Sequence, residues 1–570
     1  MKVTIIGGGP GGLYLASLLG ERVPSAEVTL YERNPLGATY GFGVVFSEPT
    51  MQNLKNNDPA GFEELFASAA KWPGIDIKIR NEVWRCDGNG FSAIERRRLL
   101  NVLHERADRA GTDMHYETLI TPESPELADA DIVVVADGGN SMWRTQQAAD
   151  LGATVETASA KFIWFGTTKV FDEMTFLFEK NEHGWFAVHA YPYNNEASTF
   201  VVETDEATWR RAGLDAFDTT QPPGASDEAT AAYVEKLFAK HLDGGRMILN
   251  NSRWANFRTV RTRDWRVDSK TVLLGDAAHT AHFSVGSGTK MAMEDALCLA
   301  ERIAAVVAGD QDVDTALSSY EDERRQDVRR IQDLARPSLS WWEHFGEYAE
   351  MPPAQFTFHF LTRSGRLGRR RLERSDPEFV KRSLGALLGS ATAPILNTEY
   401  KANSELSFSS RILGLTPQTT PVGPGSDSID AQLESAIPDL HGRVRPGTQR
   451  EIAIFAGRGS GIWCCAPAHP DQTEEFVKES IGSFGADPLV IVEAASVDDG
   501  DIRAAADAAV AQQRVAEILR IRHGFVVALV LRDCTADVAA SLIISGRTDL
   551  VAVPVTQVKE ILDEELAIHA

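Results

Sequence analysis

The sequence predicts an α/β chain in which a parallel, nucleotide-binding sheet is interleaved with an antiparallel sheet, followed by a small C-terminal α/β domain. Three observations predict it. A glycine-rich turn joins a strand to a helix at the start of the chain, period-2 apolar segments crowd 161–203, and apolar and Ala-rich segments alternate beyond 450. With 570 residues, 43% hydrophobic and 24% charged, the chain can bury more than one core. The expected division is a nucleotide-binding part over 1–155, a sheet domain over 156–260, the nucleotide-binding return and a helical segment over 261–400, a linker over 401–446, and the C-terminal domain over 447–570. A net charge of −24 argues against a nucleic-acid or anionic-membrane surface, because phosphate would be repelled. Cys86, Cys298, Cys464, Cys465 and Cys534 show no metal-ligand spacing and read as reduced thiols. Neither an export signal nor a transmembrane stretch is legible, so a cytoplasmic chain is expected, with assembly as a homo-oligomer left open.

The first element is a strand over 2–8 running into Gly7-Gly8-Gly9-Pro10-Gly11-Gly12 and a helix over 11–19. Gly7 suits the tight turn, Gly9 the close approach of a pyrophosphate, and Gly12 the packing of helix on strand; the phosphates would rest at the helix N-terminus. A second strand, 26–31, ends in Glu32, placed to accept from a ribose diol, with Arg33 beside it. This is a Rossmann-like arrangement.

A third strand, 131–135, leads into Asp137-Gly138, with Arg144 downstream, a carboxylate and a cation able to meet ribose and phosphate from another direction. The strand 271–274 ends in Gly275-Asp276, followed by Gly286-Ser287-Gly288-Thr289 and a helix over 291–304. Asp276 can bond a ribityl hydroxyl. Amides around Gly286, Gly288 and Thr289 can stabilise negative charge on a flavin ring edge. Three such stretches in this order fit one bound FAD.

On Gly7, Gly9, Gly12, Glu32, Asp137-Gly138 and Gly275-Asp276, the chain resembles the single-component FAD-dependent aromatic hydroxylases, the class of p-hydroxybenzoate hydroxylase, over 1 to about 390. The resemblance implies FAD, NADH or NADPH as transient co-substrate, O2, and an oxygen transferred from a flavin C4a-hydroperoxide. It also implies a cofactor-contacting arginine before a leucine-rich helix. Arg96 matches best by Leu99 and Leu103, with Arg97 and Arg98 left open as alternatives. A proline normally follows the Gly-Asp segment in that class. Here Phe283 stands in its place. The run 275–296, with 40–47 (Val45 and Phe46 among them), 161–167 and 361–366, is similar to the acyl-CoA subgroup, the salicylyl-CoA 5-hydroxylases and 2-aminobenzoyl-CoA monooxygenases. That implies an aromatic CoA thioester as substrate. A free aromatic or indole acid is the alternative, and a flavin-dependent metabolite-binding protein without turnover is another.

Strands over 161–170, 174–179, 184–193 and 199–203 suggest an antiparallel sheet laid over the flavin. Alternation sends Trp185, His189, Tyr191 and Tyr193 to one face. His189 is a candidate base for the ring hydroxyl, against an equal reading as a satisfied structural histidine. His282, beside the cofactor motif, is the other candidate, and Val45, Phe46, Tyr191, Tyr193 and Phe283 are expected around the substrate. Trp341 and Trp342 read as helix packing. The arginines Arg363, Arg366 and Arg369, with Arg370, Arg371 and Arg374, suit the phosphates of CoA, although a charge run is more often a solvated face. No metal site is expected.

The stretch from 403 to 446 is rich in Pro, Gly and Ser and reads as a linker. Beyond it, strands at 451–455, 488–493, 524–531 and 550–553 alternate with helices at 472–480, 501–521 and 536–545, which predicts parallel pairing. The passage 522–553 resembles the last strands of the Old Yellow Enzyme barrel, but the segment is too short to close one. A structural or interaction domain without a second flavin is expected.

Overall fold

Lys2–Ile6 is the middle of a five-stranded parallel sheet ordered Thr271–Leu273, Ile132–Val135, Lys2–Ile6, Glu27–Tyr31, Asp113–His115. The computed structural model describes residues 1–88, 90–217, 224–286, 288–387, 412–415, 462–484, 489–497, 501–554, 556–557 and 560–561. The chain divides into two units, Met1–Ala335 and Arg336–Ala570. In the first, Ile132–Val135 is buried throughout, as a strand covered on both faces must be. The helices Pro10–Arg22, Arg96–Arg109 and Gly288–Ala308 supply the cover, and their Leu13, Leu15, Leu99, Leu103, Met293 and Leu299 share one core with Ile5, Val133 and Leu273.

An eight-stranded sheet follows. Its order is Met247–Ile248, Thr154–Thr167, Ser198–Thr204, Gly184–Pro192, Met174–Asn181, Ile75–Ile79, Glu82–Cys86, with Ala255–Arg261 also on Thr154–Thr167. All pairs are antiparallel except Ile75–Ile79 on Met174–Asn181. The hairpin 75–86 comes from the stretch expected in the nucleotide-binding part. Ile75, Ile77 and Ile79 alternate into the interior, which fits them to an extension of this sheet. Phe186, Val188, Ala190, Phe200 and Val202 form one face and bury against Ala231, Val234 and Phe238. A smaller antiparallel sheet joins Gly43–Ser47 and Ala70–Trp72 to Phe91–Glu95.

The second unit carries a parallel sheet ordered Ile412–Leu415, Leu550–Pro554, Val526–Val530, Leu489–Glu493, Ile462–Cys465. From Ile462–Cys465 onward each strand lies beside its predecessor, with Thr473–Ser480, Ile502–Glu517 and Ala536–Ser545 as crossovers. Ile412–Leu415 lies within the stretch read as linker and pairs with Leu550–Pro554; the rest of 401–446, and the strand expected at 451–455, lie outside the described residues. Among the described residues no helix is long and apolar enough to cross a membrane, and no group of side chains is arranged to hold a metal ion.

Candidate functional site

The glycine turn sits at the carboxyl ends of the parallel strands. Gly7 has φ +115°, and a Cβ there would lie 2.2 Å from the Ala136 carbonyl oxygen; a Cβ on Gly12 would lie 2.0 Å from the Gly7 oxygen. Gly9 differs, because a Cβ there would meet nothing within 4 Å. The helix Pro10–Arg22 begins with Gly9 as N-cap, no side-chain cap and no acidic residue in its first turn. Its free amides and positive dipole end therefore face the open space beside Gly9. Glu32 accepts from Gly8 N at 2.7 Å and from Asn34 N and Nδ2 at 2.8 and 2.6 Å. Arg33 is exposed next to it.

Asp137 follows the strand Ile132–Val135. Its Oδ2 accepts from Met142 N at 3.0 Å, whereas its Oδ1 is buried without a hydrogen bond, and burial raises the carboxyl above its ordinary range. Arg144, expected to meet phosphate, is instead 2% exposed. It donates to the Gly139, Ala277 and Asp276 carbonyls at 2.6, 2.9 and 3.2 Å. The guanidinium thus ties the Asp137 loop to the Asp276 loop. Asp276 is exposed to solvent; the protein packed around it raises its carboxyl, with the charges of His279 and Arg96 opposing the rise. Arg96 is the arginine of its run directed inward: burial lowers its pKa, and Asp276 and Tyr191 are the charges that oppose the shift. Arg97 and Arg98 are exposed. At the start of Gly288–Ala308, a Cβ on Gly286 or Gly288 would meet nothing, and Thr289 lies in a first turn without acidic residues.

Beneath the Asp276 loop is a buried network. Asp295 holds Gly275 N at 3.1 Å, His279 Nε2 at 2.7 Å and Arg324 Nε at 2.9 Å. The cations His279 and Arg324 outweigh burial and hold the Asp295 carboxyl below its ordinary value.

The second face of the large sheet looks away from its helices. Registers place Phe162, Trp164, Phe176, His189, Tyr191, Val201 and Glu203 on this face. Phe283 closes on it, with ring centroids 5.0 Å from Phe162, 5.7 Å from Trp164, 5.8 Å from His189 and 5.9 Å from Phe257. Phe162, Trp164, Phe257 and Phe283 are only half-buried, so they line a surface as well as filling one. His189 is buried, with Nε2 2.6 Å from Glu203 Oε1. His282 is stacked on Phe283 at 4.3 Å, and its Nδ1 accepts from Ser284 N at 3.3 Å. That bond caps the short turn Phe283–Val285.

Several expected contacts are otherwise engaged. Phe46 is 1% exposed in the core of the parallel-sheet domain, 5.1 Å from Phe66, because alternation turns it away from Val45. Gly43, on the Val45 side, abuts Tyr191, Tyr193 and Thr199. The Tyr191 hydroxyl donates to Gly43 O at 3.0 Å, so it is not offered to a ligand, and burial pushes it up to about 12. Tyr193 packs on Phe42. In the second unit Arg369 is 1% exposed and its backbone N donates to Ser541 at 2.9 Å. Arg363 lies over the Phe360 ring at 4.1 Å and donates to the Phe360 carbonyl. Neither is available to a phosphate, because the helix Ala536–Ser545 and the aromatic cluster of Trp341 and Trp342 cover this segment; Arg366 is exposed.

A dinucleotide cradle at the ends of a parallel sheet, with an orphaned buried carboxylate oxygen at Asp137 and an open backbone at Gly9, fits FAD, and the aromatic-faced sheet is that of an FAD-dependent aromatic hydroxylase. Residues 1–335 match the model of the FAD binding domain, and the chain belongs to that family of flavin monooxygenases. It is 43% identical to a salicyloyl-CoA 5-hydroxylase of Streptomyces sp over 97% of this chain and 99% of that protein. It is 32% identical to the 3-hydroxy-4-methyl-anthranilyl-[aryl-carrier protein] 5-monooxygenase of Streptosporangium sibiricum over 65% of this chain and 97% of that one. The protodeoxyviolaceinate monooxygenase of Chromobacterium violaceum is also 32% identical, over 64% of this chain and 94% of its own.

Proposed function

We propose that the chain hydroxylates an aromatic acyl-CoA, a 2-hydroxybenzoyl thioester at its 5-position, drawing electrons from NADH or NADPH and oxygen from O2, in the cytoplasm. One observation supports this above others. The resemblance to the salicyloyl-CoA 5-hydroxylase runs through 97% of the chain, whereas the two relatives named for other substrates are matched almost whole by about two thirds of it. The C-terminal third is thus shared with the relative that acts on a CoA thioester. FAD, when bound, would relay the electrons of NAD(P)H to O2 and deliver one of its atoms as an electrophilic oxygen. The protein's part is to hold Gly9, Glu32, Arg96, Asp137 and Asp276 around the cofactor and a dry, aromatic-walled space around the ring. Position 5 is para to the ring hydroxyl, the carbon that a hydroxyl losing its proton enriches. His189 is the group we assign to that proton, and CoA binding energy positions the small ring.

The test follows NADH and NADPH oxidation with salicyloyl-CoA, 2-aminobenzoyl-CoA and free salicylate, with products identified by mass spectrometry. Oxidation matched by 5-hydroxylated thioester is expected. Equal kcat/KM on free salicylate would replace the thioester by a free acid, and oxidation without any hydroxylated product would remove the hydroxylase reading.

A further inference from the structure

Among the described residues five rings meet Phe283, and one of them lies nearly flat against it. His282 is stacked on it at 4.3 Å, with 29° between the planes. Phe162, Trp164, His189 and Phe257 stand at 62°, 52°, 63° and 70° to it. Three of these contacts are edge-to-face, an arrangement that the quadrupoles of the rings favour. The face of Phe283 turned away from His282 has no ring stacked on it among the described residues, and the side chain is only half-buried. The backbone is fixed as well. Phe283–Val285 is a single short turn that starts at His282, whose side chain accepts from Ser284 N, and ends at Gly286 with φ +61°. The tilt of the ring is therefore set by the fold, which leaves little freedom for a ligand to remove on binding. The same stretch of chain leads from Asp276 to Gly286 and Gly288, the backbone suited to the flavin ring edge. Phe283 thus stands between the nucleotide cradle and the aromatic-faced sheet.

We propose that Phe283 is a specificity-determining residue: the ring face turned away from His282 stacks on the aromatic ring of the acyl group and selects planar aromatic acids over saturated ones of the same size. This rests on the hydroxylation reading above, which supplies an aromatic acyl group. An offset stack of two rings contributes beyond the area that it buries. A saturated ring of similar area gains the burial alone. Stacking also holds the acyl ring in one plane, and oxygen transfer to a single ring carbon needs that orientation. Phe162, Trp164 and Phe257 are the frame of this arrangement, since each meets Phe283 at a steep angle and fixes its attitude.

The experiment uses the FAD-loaded full chain with Phe283→Leu and Phe283→Tyr, without nicotinamide, so that binding is read apart from turnover. Isothermal titration calorimetry measures Kd for salicyloyl-CoA and cyclohexanecarbonyl-CoA, and for salicylate and cyclohexanecarboxylate. Leucine keeps an apolar side chain among Phe162, Trp164 and Phe257, and tyrosine keeps the ring. Phe283→Leu should weaken salicyloyl-CoA about fivefold and the saturated thioester less than about twofold. Phe283→Tyr should hold the ratio of the two within about twofold of wild type. An equal loss for both thioesters overturns the proposal, because the residue then reads size alone; no loss for either overturns it too, because the ring then does not touch the ligand. Phe283→Val carries the same comparison if the leucine variant does not fold. If the wild type binds neither thioester while Phe283→Leu still lowers its preference for salicylate over cyclohexanecarboxylate, the thioester reading fails and the stack stands.

Discussion

At the residue scale, the glycines of the opening turn separate into two kinds. Gly7 and Gly12 are required by the fold, since a Cβ on either would sit within 2.2 Å of a backbone oxygen. Gly9 faces open space. Gly9→Ala should therefore leave the melting temperature within about two degrees of wild type, because a Cβ there costs nothing in the protein alone. It should weaken FAD binding at least about tenfold, a loss of about 1.4 kcal/mol or more from a crowded pyrophosphate. Gly12→Ala should lose folded protein instead. Flavin fluorescence on titration and thermal melts of the apoprotein separate the two; an unchanged FAD affinity in Gly9→Ala would place the pyrophosphate elsewhere. The turn was legible because nucleotide binding compresses its demands into a few consecutive backbone positions. Phe46 was not, because a strand's alternation tells which residues share a face but not which face meets the core.

At the element scale, the Asp276 loop is held by residues far apart in sequence. Asp295 comes from Gly288–Ala308 and Arg324 from Val313–Tyr348, while His279 lies in the loop itself. Asp295→Ala would leave the buried Arg324 charge without its main partner and should cost about 3–5 kcal/mol. Weaker FAD retention should accompany the loss, because Gly275 N loses its acceptor. Chemical denaturation and flavin release on gel filtration read the two effects, and a variant with both unchanged would mean that the network does not position the loop. No local pattern announces such a network. The same holds for Glu203: alternation puts it in register with Thr199 and Val201, but only the pairing of strands brings it to His189. Within the arginine run, Arg369 was illegible for a related reason, while Arg366, Arg371 and Arg374 are exposed. A charge run looks solvated until a helix covers it, and Ala536–Ser545 lies about 170 residues further on, as the Arg369 N to Ser541 bond at 172 residues' separation records.

At the scale of the whole molecule, the two units spend their buried charge differently. The first keeps carboxylates around a ligand site, and the second uses a buried network to join its helices. Trp341 Nε1 donates to His359 Nδ1 at 2.6 Å, which leaves the imidazole proton on Nε2, 3.3 Å from Glu517 Oε1. Tyr348 donates to the other carboxylate oxygen, and Arg547 donates to the His359 carbonyl at 2.9 Å. Burial, then the Arg547 charge, pushes the His359 imidazole down to about 4 from 6.5. The neutral form is therefore the folded form. As pH falls, the unfolded chain takes up this proton first, so the stabilisation is complete above about pH 6.5 and is lost towards about pH 4. The loss amounts to at most about 3 kcal/mol. Glu517, held down to about 2 despite its burial by His359 and the neighbouring arginines, adds its own loss only below about pH 4.5. Between about pH 6.5 and 4.5 the loss therefore comes from His359 together with His344, whose imidazole burial and the Arg514 charge also lower. Thermal melts of the full chain across that window should show the transition of the second unit moving to lower temperature. In His359→Gln, which cannot titrate but can still accept from Trp341 and donate to Glu517, the transition should start lower and fall less steeply over the same range, the remaining slope being that of His344. A slope as steep in the variant as in the wild type would assign the acid sensitivity to another group.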